Sequence, residues 1–348
     1  MLRCQKEHVV AGSFASDDIV TALKAAAEPT RLRILLLLTA GELSVKDLTV
    51  ILGQSQPRIS RHLKLLAEAG LVERFREGSW AYFHVSDRSA GGRLALDILG
   101  LVDGSDRVIA RDRERAEALK REREASAQTY FQAHAADWDR IRALHIAEQD
   151  VEQAIVEGLG PGPFKLLVDL GTGTGRILEL VADRYERGIG FDLNNAMLAY
   201  ARSNLSKAKL VRAQVRHGDL YALSLPDGVA DAVVMHQVLH FLSDPGLAIR
   251  EAARVLAPGG RLLIVDFAPH DLEFLREEHA HDRLGFTGAQ VEHWMQDAGL
   301  EPRLQRDLAP AAGAGPQALT VSLWLGERPQ TVAALDKPAR TRALQEAP

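Results

Sequence analysis

The sequence predicts two domains, a small and mostly helical α+β unit followed by a larger, doubly wound α/β domain. Three observations predict this. At 348 residues with 46% hydrophobic content, the chain is too long for one ordinary core and apolar enough for two. Its first quarter alternates short helical patterns with tight turns and ends in two strand-like runs. Beyond Phe164, apolar runs of strand length at 165–170, 188–191, 230–235 and 261–265 alternate with helical segments, as in a parallel sheet covered on both faces.

In the first domain, helices are expected over 19–27, 30–38, 45–52 and 56–69. Pro29 separates the first two, Gly41 ends the second, Ser44 can cap the third, and Ser55 can cap the fourth with Pro57 tolerated in its first turn. Gly53-Gln54-Ser55 then forms the turn of a helix-turn-helix. In the fourth helix Ile59, Leu63 and Leu66 share an inward stripe. Gln56, Arg58, Ser60, Arg61 and His62 populate its first turns outside that stripe, where a recognition helix presents side chains to base edges and phosphates. Gly70 stops the helix. Residues 71–76 and 80–85 alternate as strands around Glu77-Gly78-Ser79, giving a hairpin wing with Arg74 and Arg76 near its tip. The formal charge of the chain is -5, yet residues 1–88 hold 12 Lys and Arg against 10 Asp and Glu. So small a surplus proves nothing, and nucleic-acid binding rests on the pattern.

That pattern resembles a known family. Gln54-Ser55-Gln56-Pro57-Arg58-Ile59-Ser60-Arg61-His62-Leu63, followed by Leu66 and Ala69-Gly70-Leu71-Val72, is similar to the ArsR/SmtB winged-helix repressors, as is the run from Glu28 to Ile34. The resemblance covers 19–86. It implies a homodimer, formed with help from the first helix and the 94–102 helix, that reads a near-palindromic operator in double-stranded DNA. The implied DNA-binding residues are Gln54, Ser55, Gln56, Arg58, Ser60, Arg61 and His62, with Arg74 and Arg76 of the wing. Metal-sensing members carry Cys-x-Cys where this chain has Ser44 and Lys46, so that soft-ligand site is missing and no metal is expected. The single cysteine, Cys4, excludes an intramolecular disulfide.

Behind the wing, Leu94, Leu96, Ile98, Leu99, Leu101 and Val102 and the interleaved charges of 107–124 predict one long helical stretch from Arg93 to about Ala125, its charges solvated and paired at i,i+4. The expected boundaries are 14–90 for the winged helix, 91–127 for a dimerisation and connector segment, 128–327 for the α/β domain and 328–348 for a disordered tail. No apolar h-region follows the basic start, and no apolar run approaches the roughly 20 residues that span a bilayer. A cytoplasmic location without a membrane partner is expected.

In the α/β domain, Val168-Asp169-Leu170-Gly171-Thr172-Gly173-Thr174-Gly175 closes a strand and opens a helix. Glycines at alternate positions let the backbone turn tightly and approach a ligand closely. Arg176 stands where a dinucleotide fingerprint needs its third glycine, and no Lys-Ser/Thr follows for a triphosphate. Asp169, Gly171, Gly173 and Gly175 instead resemble motif I of class I S-adenosylmethionine-dependent methyltransferases. Asp192, ending the next strand, is placed to accept from two ribose hydroxyls. Gly218-Asp219-Leu220 resembles the adenine-binding motif, 231–241 the fourth strand and its loop, and 254–264 the turn into the fifth strand. Tyr130-Phe131, Ala135 and Trp138-Asp139 resemble the helix that lids the cofactor. The resemblance covers 130–266. It implies a Rossmann-like fold with a seven-stranded, mostly parallel sheet, binding S-adenosylmethionine or S-adenosylhomocysteine through Tyr130, Asp169, Gly171, Gly173, Gly175, Asp192, Asp219, Leu220 and His236.

Methyl transfer from a sulfonium needs alignment more than covalent help, so such a pocket leaves catalysis open. Met235-His236-Gln237-Val238 departs from the Pro-Pro loop of enzymes that methylate base amines, and arsenite methylation would need several thiolates. The candidate catalytic bases are His236, His240, His279 and His281. His279 and His281 stand two apart without a third ligand, which disfavours a metal there. Two functions are compatible with the pattern. One is a transcriptional regulator, a repressor by resemblance, whose methyltransferase domain takes the S-adenosyl ligand as effector. The other is an active methyltransferase for a small-molecule acceptor of quinone or phenolic type, with an autoregulatory DNA-binding domain.

Overall fold

The computed structural model describes residues 15–330 apart from 78, 86–88, 143–145, 311, 312, 314 and 316. Residues 331–348, most of the expected tail, lie outside the described residues, as does Cys4. Two compact units divide the rest: residues up to Tyr130 with His240–Asp244 and Pro269–Gly285, and the remainder.

The first unit opens with α1 (Ser16–Ala26), α2 (Pro29–Leu38), β1 (Leu43–Ser44), α3 (Val45–Leu52) and α4 (Gln56–Glu68), followed by the hairpin β2 (Glu73–Glu77) and β3 (Trp80–His84). Local chemistry sets these limits. Pro29 sits in the first turn of α2, where its missing N–H costs nothing, and the Glu28 carboxylate accepts from Arg31 N at 2.8 Å. Ser44 and Asp47 cap α3 reciprocally. Gly53 ends it at φ 64°, a left-handed conformation that a β-carbon disfavours. The strands form an antiparallel sheet in the order β1-β3-β2. Ile34, Leu38, Leu48, Ile51, Ile59, Leu63 and Leu66 fill the core, each contributing about 2 kcal/mol of transfer free energy.

The stretch expected as one long helix is two, α5 (Ala90–Leu99) and α6 (Arg107–His134). Turn chemistry between them explains the break. Asp103 Oδ1 accepts from Ser105 N and Oγ, both at 2.8 Å, and Asp106 Oδ1 accepts from Val108 N at 2.8 Å, capping α6. The charges of α6 are also not all solvated. Asp112 is buried in a bidentate pair with Arg33, Arg115 donates to Ile51 O at 3.0 Å, and Arg123 pairs with Asp47 and Asp282.

The second unit runs α7 (Trp138–Arg142), α8 (Glu148–Leu159), β4 (Phe164–Leu170), α9 (Arg176–Leu180), β5 (Tyr185–Asp192), α10 (Asn195–Lys207), β6 (Ala213–His217), β7 (Ala230–His236), α11 (Pro245–Val255) and β8 (Leu256–Phe267). After Pro269–Gly285, which contains α12 (Phe274–Glu278) and belongs to the first unit, it resumes with α13 (Gly288–Asp297), β9 (Glu301–Leu308) and β10 (Val321–Glu327). The sheet order is β6-β5-β4-β7-β8-β10-β9, with β10 antiparallel to both neighbours and every other pairing parallel. This is the expected seven-stranded, doubly wound architecture. The parallel strands β4, β7 and β8 read as near-continuous apolar runs because both faces are covered. β8 is longer than its apolar run because the Pro258-Gly259-Gly260 turn lies within it, absorbed by a register shift opposite Ala230 and Ala232. Among the described residues, no helix is long and apolar enough to cross a membrane.

Candidate functional site

In the first unit, α4 turns Ile59, Leu63 and Leu66 inward and leaves Gln56, Arg58, Ser60 and Arg61 exposed, with Ser55 exposed just ahead of them. Arg74 and Arg76 are exposed on β2. Two of the expected DNA-binding residues are placed differently. Gln54 is partly buried and donates to Thr30 Oγ1 at 3.3 Å. His62 is only 12% exposed in its side chain, with Nδ1 3.6 Å from the Glu28 carboxylate. Burial depresses the His62 pKa, with neighbouring arginines adding to the shift and Glu28 opposing it. His62 thus braces α4 against the start of α2.

In the second unit, the loop after β4 is built by neighbouring backbone. Gly171 N and Thr172 N both donate to Phe191 O at 2.9 Å, and Gly173 N donates to Asp192 Oδ2 at 2.9 Å. Gly171, Gly173 and Gly175 have φ of 72°, 53° and 85°. A β-carbon at Gly171 would lie 2.4 Å from Val238 Cγ2, so the loop after β7 approaches only because that residue is glycine. Trp138 closes on the same loop, 3.4 Å from where a β-carbon of Gly173 would stand. Thr174 Oγ1 donates to Asp139 Oδ1 at 2.6 Å. The expected Trp138-Asp139 lid is therefore joined to the glycine loop by a hydrogen bond and a ring.

The carboxylates differ in placement. Asp169 is buried and accepts from Thr172 Oγ1 at 2.6 Å, so it holds the loop from beneath. Burial pushes its pKa up to about 7, with Asp192 adding and Thr172 and Arg142 opposing. Asp192 accepts from Gly173 N through Oδ2 and from Asn194 N through Oδ1, and burial raises its pKa against those bonds. Asp219 is exposed, accepting from Tyr221 N at 2.9 Å, and Leu220 beside it is buried.

Sequence reasoning missed Arg142. It reaches from α7 to His236 Nδ1, 3.4 Å from its Nη1, and pairs with Glu148 and Asp139. Its Nε and Gln237 Nε2 are buried without a hydrogen-bond partner among the described residues. Gln237 also has φ 51°, uncommon for a residue with a β-carbon, and its N donates to Val265 O at 2.7 Å. The available signal was the position of Arg142, one helical turn beyond Trp138.

The four candidate histidines are divided. His236 ends β7 in the second unit, buried beside Arg142. His240, His279 and His281 belong to the first unit, as does Tyr130. His281 stacks on His240 at 4.2 Å, and His279 Nδ1 meets Tyr130 OH at 2.8 Å. Burial holds His281 well below its ordinary pKa, reinforced by His240, His270, His279 and Arg276. Among the described residues, no group of three or more His, Cys, Asp or Glu could hold a metal ion.

A second feature unmarked in sequence surrounds the wing. Glu77, at the end of β2, is buried and accepts from Arg276, Arg283 and Leu284 N. Arg283 is itself buried, with Glu42 as second partner at 2.7 Å and the Tyr82 ring 4.6 Å away. Burial opposes the charge on Arg283, and Glu42 and Glu77 more than offset it.

Comparison with known proteins agrees with these two regions. The model described as "Bacterial regulatory protein, arsR family" matches residues 28–74, and that described as "Methyltransferase domain" matches 168–264. Residues of this chain are 48% identical over 68 positions to the arsenical resistance operon repressor of Escherichia coli K12, covering 19% of this chain and 58% of that protein. They are 36% identical over 107 positions to a demethylmenaquinone methyltransferase of Thermus thermophilus, covering 30% and 48%. A "Probable S-adenosylmethionine-dependent methyltransferase" of Mycolicibacterium smegmatis is 32% identical over 154 positions, covering 43% and 56%. The chain spans about half the length of the curated relatives it matches. It carries an arsR-type helix-turn-helix ahead of a methyltransferase-type domain.

Proposed function

We propose that this chain is a DNA-binding transcription regulator of repressor type, acting in the cytoplasm as a homodimer on a near-palindromic operator, with S-adenosylmethionine or S-adenosylhomocysteine as effector. One observation carries the reading: the chain joins a helix-turn-helix with an exposed Arg, Gln and Ser surface to a glycine loop bound by the Asp192 carboxylate.

The donor set fits the ligand. Asp192 accepts from Gly173 N through Oδ2 and from Asn194 N through Oδ1, so its carboxylate is held against the glycine loop, where it would take the two ribose hydroxyls. Asp219 would take the exocyclic amine of adenine, with Leu220 against the ring. The buried donors Arg142 Nε and Gln237 Nε2 suit the carboxylate of an amino-acid-bearing ligand. When bound, S-adenosylmethionine supplies an activated methyl group; the chain's own residues hold its ribose, base and carboxylate. An effector works only by differing affinity for the DNA-competent and incompetent states.

A second reading, methyl transfer to a quinone or phenolic acceptor, is favoured by His236, buried beside Arg142 in the same unit as the glycine loop. Fluorescence anisotropy of the protein on duplex DNA from upstream of its own gene, at fixed salt, separates the readings. A shift of about tenfold in Kd on adding either ligand, about 1.4 kcal/mol of coupling, supports the effector reading. Equal affinity at saturation with both ligands overturns it and leaves methyl transfer to be assayed on phenolic and quinone acceptors.

A further inference from the structure

The tip of the wing is occupied. Ser79 N and Ser79 Oγ both donate to Glu273 Oε1, at 2.8 and 2.6 Å. A backbone N–H and a hydroxyl converging on one anionic oxygen is also how protein loops hold a phosphate oxygen of DNA. The carboxylate is delivered by a braced element. One turn beyond Glu273, Arg276 binds Glu77 and lies 4.7 Å over the Trp80 ring, and Arg283 and Leu284 N close on Glu77 from the same segment. Every one of these contacts falls on β2, β3 or the turn between them. On the same hairpin, Arg74 and Arg76 stay exposed. The wing therefore presents cations to solvent while the donors at its tip are bound to an anion.

We propose that Glu273 is a phosphate mimic: it takes the wing-tip donors that a DNA phosphate would take, so Pro269–Gly285 restrains DNA binding until the carboxylate is displaced. The inference rests on the DNA-binding reading above. Exchange of one anionic acceptor for another leaves the hydrogen bonds of Ser79 nearly balanced. In wild type a DNA phosphate therefore gains little from these donors, whereas donors no longer held by the carboxylate give up only water to reach it. Removing that carboxylate therefore favours DNA.

The test uses the full chain and a fluorescein-labelled duplex of about 30 base pairs from upstream of its gene, without S-adenosyl ligand, at low and at moderate salt. Glu273→Gln and Glu273→Ala are compared with wild type and with Asp150→Asn, which removes the same charge from an exposed position on α8. Both Glu273 variants are expected to bind about fivefold more tightly at both salts, because the competition is for donors. Asp150→Asn should change affinity by less than about twofold, and only at low salt, because it acts through screened charge. Glu273 variants that bind no better than wild type, or a control that reproduces their gain, overturn the inference while leaving DNA binding intact. Absence of binding by every protein, wild type included, overturns the DNA-binding reading and the inference with it.

Discussion

Asp169 does its work without touching solvent. Its carboxylate accepts from Thr172 beneath the glycine loop, and burial lifts its pKa to about 7 from an ordinary value of about 3.9. The folded state therefore keeps, between about pH 4 and pH 7, a proton that the unfolded chain has released. A group raised in this way lowers stability as pH climbs through that window. Asp169→Asn keeps an acceptor for Thr172 and cannot ionise, so the thermal midpoint of wild type should fall relative to the variant from pH 4 to pH 7 and level off above it. Melting curves across that range check this; a gap that stays constant would show that Asp169 ionises as an ordinary carboxylate. That Asp169 matters was legible from its spacing to Gly171, Gly173 and Gly175, because the loop is local in sequence. The burial of Arg142 Nε and Gln237 Nε2 was not, because it is created by elements distant in the chain.

The wing is held through one buried carboxylate. Glu77 is surrounded by Arg276, Arg283 and Leu284 N, and its removal leaves the buried Arg283 with Glu42 alone. Glu77→Gln should destabilise the first unit by about 3 kcal/mol, since breaking a buried pair strands an uncompensated charge. The midpoint of urea unfolding measures it, followed by the fluorescence of Trp80 in a chain whose Trp138, Trp294 and Trp324 are replaced by Phe. The helix-turn-helix itself was readable almost to the residue, since Pro29, Ser44, Gly53 and Gly70 punctuate it with local chemistry. The connector was not. The apolar run up to Val102 and the charges from Arg107 overshadow a break made by Gly100, the Asp103-Ser105 turn and the Asp106 cap, which divide α5 from α6. His279 and His281 were candidates through polar clustering alone, and the chain folds both into the unit that holds the wing.

On the scale of the whole molecule, the two units are not consecutive lengths of chain. The first takes residues up to Tyr130, then His240–Asp244, then Pro269–Gly285. A fragment ending at residue 130 would keep Glu77 and Glu42 but lack both of their arginine partners from the later segment. Its wing, residues 73–84, should exchange amide hydrogens markedly faster than in the full chain, measured by mass spectrometry after deuterium labelling. Equal protection would mean that the hairpin is stable without Arg276 and Arg283. The doubly wound sheet was foreseeable from alternating strand-length runs, because each run carries its own signal. The sharing of segments between units was not, because nothing local in 269–285 records which core it will join.

Arg283 also sets an order of events during synthesis. Some 150 residues separate Tyr130, where the first continuous part of its unit ends, from the arginine that neutralises Glu77. At roughly 5–20 residues per second, a ribosome needs about 10–30 seconds to cross that interval. Throughout it the nascent wing carries an acidic side chain with neither of its final partners yet made. The N-terminal domain is thus translated first and completed late, after most of the strands of the second unit have left the exit tunnel.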